Sequence, residues 1–287
     1  MSESGLNYYT PLPKVDAFHE STAFTRLIRG GNRSGRSVAA AAEVASACLG
    51  TQIRLSTGEY AKNNYPDRPL SVLVVGYDWN YIGRNLYRLL FQSNVLLPRM
   101  GRHTPPLIPD SCIESVRWHS RILIQPEEVI LSNGTKILFE SSMDTPACCN
   151  QYDLVWADDV MADENVILEA QMRLLDRGGK LIWSSFPTNG RFKQFCLKAA
   201  GGDPRYHETV IRMDENPHIP QSVVAALITG LTDRKYRSQV CGEFVEDDKT
   251  PTASELLRNW ANSLPAGEAF RGPEERELYR YAVSLRG

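Results

Sequence analysis

Apolar residues occur along this chain in short runs that end in glycine or in acidic and hydroxyl residues, and helical patterns separate the runs. Thr25 to Arg29 reads as a strand ending on Gly30-Gly31, and Ser37 to Leu49, rich in alanine and free of glycine and proline, reads as a helix. Ser71 to Tyr77 is nearly continuously apolar, the pattern of a parallel strand covered on both faces. Leu86, Leu89 and Leu90 then fall at helical spacing. Glu128 to Leu131 and Thr135 to Phe139 flank Asn133-Gly134, a hairpin signal. Leu154 to Ala157 and Lys180 to Ser185 are two further core strands, with a helix over Glu164 to Leu175 between them. Thr209 to Met213 and a short run near Val240 to Val245 complete the expected sheet. The alternation predicts an α/β fold with a mostly parallel central sheet flanked by helices.

Outside that region the pattern weakens. Residues 1–20 carry Pro11 and Pro13 and read as a loop-like N-terminal arm, and Leu96 to Pro109 reads as an irregular surface segment. Residues 21–245 form the expected main domain. Residues 246–287 turn polar and acidic, then offer two helices, Ala253 to Ser263 and Pro273 to Leu285, as a short tail.

Composition narrows the class. With 287 residues, 42% of them hydrophobic, the chain can bury a full core. No run approaches the ~20 apolar residues of a membrane helix, and residues 1–20 do not resemble a secretory signal, so a cytoplasmic protein without a membrane partner is expected. The 6 cysteines include no CxxC pair, which argues against a zinc site or a disulfide framework, and adjacent Cys148 and Cys149 are read as incidental. A net charge of −2 leaves nucleic-acid contact to local basic patches. The candidates are Arg84 and Arg88, Arg99 and Arg102 with His103, and Arg191 with Lys193.

The chemistry begins at Gly30-Gly31-Asn32-Arg33-Ser34-Gly35-Arg36-Ser37, between a strand and a helix. In the pattern GxxxxGK[ST], glycines let successive amides point at phosphates, lysine adds charge and the hydroxyl binds Mg²⁺. Gly30, Gly35 and Ser37 fit, while Arg36 stands in the lysine position. Arginine keeps the charge but is longer and planar, so the two are not equivalent. A second element is the strand that ends in Asp158-Asp159. There Asp158 suits a Mg²⁺ ligand and Asp159, in a position commonly glutamate, suits a group that orients the attacking water. The strand before Ser185-Phe186-Pro187-Thr188 brings small hydroxyl residues to the same region.

The order and spacing of these pieces resemble the ATPase part of the large subunit of viral DNA-packaging terminases, over roughly residues 15–245. The resemblance rests on Phe18-His19, the stretch from Gly30 to Gly35, the Asn133-Gly134 hairpin, the strand to Asp158 and Arg173 before Gly178-Gly179. Ser185-Phe186-Pro187, Asn216-Pro217-His218-Ile219-Pro220 and Arg237 before Gly242-Glu243-Phe244 complete it. It implies a RecA-like ASCE P-loop NTPase with ATP and Mg²⁺ as cofactors. Double-stranded DNA, a portal protein and a small terminase subunit are the implied partners, with a homo-oligomeric ring assembling on the portal. It also implies that Arg33 reaches the phosphates in cis, that Arg173 is offered to a neighbouring copy, and that Ser185 to Thr188 relay the nucleotide state. Three departures accompany it: Arg36, Asp159, and Val15-Asp16 where an adenine-side glutamine is expected. Asp247-Asp248 lie in a polar stretch without strand pattern, so no nuclease domain is expected in residues 246–287, and the nuclease is expected either on a separate chain or beyond this stretch of sequence. The competing readings are a nucleotide-binding assembly component with weak or no hydrolysis, and another ASCE DNA translocase or helicase.

Overall fold

Runs such as Val72 to Gly76 bury both of their faces, so they fold into the interior of a sheet that helices must cover on two sides. The computed structural model describes residues 3–93, 104–144 and 150–245. The elements are α1 (Pro13–Glu20), β1 (Thr25–Gly30), α2 (Arg36–Leu49), β2 (Ser71–Gly76) and α3 (Trp79–Tyr81). A π-helical stretch (Ile82–Tyr87), α4 (Arg88–Phe91), β3 (Ile113–Ser120), β4 (Gln125–Leu131), β5 (Lys136–Ser141) and β6 (Leu154–Asp158) follow. After them come α5 (Asn165–Leu175), β7 (Lys180–Ser185), α6 (Arg191–Ala200), β8 (Tyr206–Ile211), α7 (Gln221–Thr229), α8 (Asp233–Lys235) and a second π-helical stretch (Tyr236–Val240).

The 8-stranded sheet runs in the order β3-β4-β5-β2-β6-β7-β1-β8. All neighbours from β5 through β8 are parallel, and only the β3–β4 and β4–β5 pairs are antiparallel. Alternation along each strand sorts two cores. Ile28, Val74, Trp156 and Ile182 meet α1, α2 and α4 on one face, while Leu27, Val75, Ala157 and Trp183 meet α5 and α6 on the other. The chain to Phe244 forms one unit.

The structure departs from the sequence expectations in four places. Residues 1–20 are not a loop-like arm: α1 forms with Pro13 at its start and buries Val15, Phe18 and His19. The part of the proline-rich segment that is described is interior, with Thr104, Leu107 and Ile108 buried and the Ile108 amide donating to Leu90 O at 2.8 Å. No strand forms near Val240. The apolar spacing there marks burial of Val240 against Met213 and Val224, in the second π-helical stretch. Edge strand β3 has no counterpart among the expected elements, because only half of its residues are even partly covered. The tail helices, Asp247-Asp248, Cys148-Cys149, Arg99, Arg102 and His103 lie outside the described residues.

Candidate nucleotide site

β1 delivers the chain to a turn that closes at the amino end of α2. Gly30 and Gly31 are required by close approach: a Cβ on Gly30 would meet Ser34 Oγ and Ile211 O, and one on Gly31 would meet the carbonyls of Gln239 and Val240. Arg33 (φ 55°) and Gly35 (φ 96°) both take left-handed backbone, which bends the turn into a nest of amides at the positive end of α2. Asn216 Nδ2 donates to Arg33 O at 2.7 Å and the Asn32 amide to Gln239 O at 2.8 Å, so β8's extension and the second π-helical stretch brace the loop from one side. The Arg33 side chain is exposed at the loop's tip.

Strand order supplies the second half. β6 lies next to β7 and β7 next to β1, with Asp158 in register with Ser184 and Ser184 with Ile28, so the carboxyl ends of these parallel strands share one edge. Across that edge Ser37 Oγ donates to Asp158 Oδ2 at 3.1 Å. The other carboxylate oxygen, Oδ1, accepts from Ser184 Oγ at 2.5 Å, and Ser184 Oγ accepts from Trp156 Nε1 at 2.9 Å. The Tyr81 hydroxyl donates to Asp158 Oδ2 at 2.7 Å. Asp158 is fully buried. Burial pushes its carboxyl up from the usual range, against the hydrogen bonds from Ser184 and Tyr81 and the charge of Arg36, while Asp159 adds to the push. Burial and the charge of Asp158 also push the Tyr81 phenol well up, which keeps it a neutral donor.

Asp159 is held in left-handed backbone at φ 68°, its amide on Ser184 O at 2.6 Å and its carbonyl accepting from Trp183 Nε1 at 3.0 Å. That turn aims its carboxylate at the loop, where Arg36 Nη2 lies 3.2 Å from Oδ1. Arg36 Nη1 donates back to Gly31 O at 3.0 Å and Gly30 O at 3.3 Å, so the guanidinium ties the loop's own carbonyls to Asp159. Its Nε is buried without a partner, as are Ser34 Oγ and Ser185 Oγ. Beside Asp159 opens a cleft of about 390 Å³, lined by Tyr77, Asn80, Tyr81, Arg84 and Asn85.

The structure thus brings together Gly30 to Ser37, Asp158 and Asp159. It leaves Arg173 apart: Arg173 O accepts from the Tyr152 amide, at the amino end of β6, and its guanidinium pairs with Glu169 at 3.4 Å. His19 stands in a buried network, with Nδ1 2.6 Å from Glu43 and Nε2 3.0 Å from the Tyr9 hydroxyl. Val15 is buried, and Asp16 accepts from the Ser56 amide at 3.0 Å. Sequence reasoning missed Tyr81. Its one local signal is its place just beyond the carboxyl end of β2, after Asp78, which caps α3 through the Tyr81 amide at 2.6 Å.

The donor set suits a nucleotide with a hard cation. Ser37 Oγ and Asp158 Oδ2 are oxygen ligands of the kind Mg²⁺ takes in small number beside phosphates, and unpartnered Arg36 Nε and Ser185 Oγ border the same edge. Among the described residues no group of three or more His, Cys, Asp or Glu gathers as an alternative metal site, and no helix is long and apolar enough to cross a membrane.

No family model matches the sequence, and no curated protein matches it. Solved structures do. A large terminase from a thermophilic bacteriophage, in complex with ADP, superposes with a TM-score of 0.57 at 14% identity over 82% of this chain and 54% of that one. The ATPase domain of the Thermus phage P74-26 large terminase gives 0.56 at 17% identity, over 84% of this chain and 96% of that domain. The fold is that of a large-terminase ATPase domain. This chain spans about half the length of the first of those terminases and nearly all of the separate ATPase domain, so it corresponds in fold to the ATPase part. The first terminase has also been crystallised with ATP-γ-S, at 14% identity and a TM-score of 0.56.

Proposed function

We propose that this chain is the ATP-hydrolysing motor part of a viral DNA-packaging terminase. The observation that carries the reading is the 3.1 Å contact of Ser37 Oγ with Asp158 Oδ2, which joins the end of the amide nest to a buried carboxylate two strands away in a terminase-type ATPase fold. The phosphates of ATP lie along residues 30–37, bound by the amides at the start of α2 and by Arg33. Ser37 and Asp158 hold Mg²⁺, which offsets phosphate charge when bound. Asp159 orients the attacking water once its carboxylate is free of Arg36, and Ser185 to Thr188 relay the nucleotide state toward double-stranded DNA. The motor works as a ring on the portal protein with a small terminase subunit, in the host cytoplasm during assembly.

One observation favours a second reading. The Arg36–Asp159 pair engages the group that hydrolysis needs, as suits a nucleotide-binding assembly component with little turnover. ATP turnover, measured with Mg²⁺ and with and without double-stranded DNA, separates the two. The motor reading expects Mg²⁺-dependent hydrolysis that DNA accelerates and Asp159→Asn abolishes. ATP binding with no turnover under either condition would establish the second reading instead.

A further inference from the structure

We propose that Tyr81 is a positioning residue that competes with the divalent cation for one oxygen of Asp158, and so couples cation binding to the cleft beside Asp159. The inference rests on the nucleotide reading above and deepens it.

The two oxygens of Asp158 are used differently. Oδ1 is committed to Ser184 Oγ, which is fully buried and fixed in turn by the indole of Trp156, so this chain of bonds has no room to exchange partners. Oδ2 receives two hydroxyls, Ser37 at 3.1 Å and Tyr81 at 2.7 Å. Each carboxylate oxygen offers about two lone-pair sites, so both sites of Oδ2 are occupied. Ser37 can keep its place beside a cation by turning its oxygen toward it. The neutral Tyr81 phenol, whose lone pair is delocalised into its ring, is a poorer ligand than the serine alcohol, and its shorter bond occupies a site on Oδ2 that the cation needs. Tyr81 therefore has to give up Oδ2.

The surroundings allow that move. Tyr81 already lines the cleft of about 390 Å³ together with Asn80, Arg84, Asn85 and Asp159, so its ring can turn into open space. Its backbone stays anchored because Asp78 caps α3, and Gly76 leaves room for the ring, whose Cδ1 lies 3.2 Å from where a Cβ would stand. The π-helical stretch that begins at the next residue carries Arg84 and Asn85 into the same cleft. π-Helical turns are often found at functional sites, and here one follows directly on the residue that has to move.

The test is a calorimetric titration of Mg²⁺ into the ADP-loaded protein, compared with Tyr81→Phe and Ser184→Ala. Removing the phenol removes the competitor, so Tyr81→Phe should lower the Mg²⁺ half-saturation concentration about tenfold, the worth of one hydrogen bond to a charged group. ADP affinity in EDTA should not change. Ser184→Ala should raise the half-saturation concentration, since Ser184 orients Asp158 with or without the cation. A tyrosine ultraviolet difference signal on adding Mg²⁺ should be present in the parent protein and lost in Tyr81→Phe. An unchanged or weakened Mg²⁺ affinity in Tyr81→Phe, with ADP binding intact, overturns the proposal alone. Failure of the parent protein to bind ADP overturns the nucleotide reading and this inference with it.

Discussion

Replacing Arg36 by lysine tests what the Arg36–Asp159 pair does. The guanidinium reaches three oxygens at once: Gly30 O at 3.3 Å, Gly31 O at 3.0 Å and Asp159 Oδ1 at 3.2 Å. A lysine ammonium places its three donors on one nitrogen, so it lacks the span by which Arg36 puts Nη1 on the loop carbonyls and Nη2 on Asp159, and it holds Asp159 less firmly. At an effective dielectric of 20, two unit charges 3.2 Å apart attract by ~5 kcal/mol. Desolvation and partial exposure, with side chains 11% and 29% exposed, reduce the net value to about 1–2 kcal/mol. If Asp159 must leave the pair to orient water, that amount adds to the barrier, and its removal corresponds to about 5- to 30-fold in rate. Arg36→Lys should therefore raise kcat by about that factor in a steady-state phosphate-release assay, while Arg36→Lys combined with Asp159→Asn shows no gain. An Arg36→Lys protein that binds nucleotide normally but turns over no faster than the parent refutes the claim that the pair restrains Asp159.

Asp158→Asn removes a buried carboxyl whose raised pKa means that ionisation opposes folding once the pH passes its unfolded value. The variant should lose the parent's decline in melting temperature as the pH rises above the unfolded value near 3.8, and should show no Mg²⁺ dependence of nucleotide binding, both read by thermal shift. Glu43 has the opposite sign. Burial pushes its carboxyl up, but the charge of Arg26 and the hydrogen bond from His19 outweigh that and hold it at about 2. Stability from Glu43 is thus present above the unfolded value near 4.5 and is lost as pH falls toward 2, on the order of 3 kcal/mol in all. Denaturant melts of Glu43→Gln from pH 5 to 2 should lose that slope, and at pH 7 the variant should be about 3–5 kcal/mol less stable because Arg26 is left unpaired. Gly31→Ala drives a Cβ into the carbonyls of Gln239 and Val240; it should cost about 1–3 kcal/mol and weaken ADP binding in calorimetry, whereas Gly35→Ala meets no neighbouring atom and pays only for its positive φ.

The parallel strands were legible because their signal is local. Val72 to Val75 and Leu181 to Trp183 are apolar on both faces, and no distant contact is needed to recognise a covered strand. Gly30 to Ser37 and Asp158-Asp159 were legible as a candidate site for the same reason, since each is a contiguous stretch at the end of a strand. What the sequence hid depends on distant partners. α1 is stable because His19 meets Glu43 and Phe18 meets the core, neither visible from residues 1–20. β3 shows too little burial to announce itself, and Val240 looks like a strand residue until Met213 and Val224 are seen against it. Tyr81 reaches Asp158 from 77 positions away, and the turn of Arg36 toward Asp159 is a side-chain choice that no spacing rule encodes.

The loop between β1 and α2 is gripped unequally from its two sides, and the inequality decides which side can yield. Behind it, α2 is tied to β1 by Glu43, which takes Arg26 Nη1 at 2.7 Å, His19 Nδ1 at 2.6 Å and the Tyr65 hydroxyl at 3.0 Å, with Arg26 and His19 almost wholly buried. Breaking a buried pair of this kind costs about 3–5 kcal/mol. On the other side the loop is held by two separate bonds, Asn216 to Arg33 O and the Asn32 amide to Gln239 O, each worth about 1 kcal/mol and each reaching an exposed loop residue. Local opening follows the cheaper route, so α2 stays fixed to the sheet while the extension of β8 and the second π-helical stretch part from the loop first. That places compliance next to Arg33 and away from the Ser37–Asp158 contact, so the carboxylate proposed to receive the cation is held by the rigid side of the site.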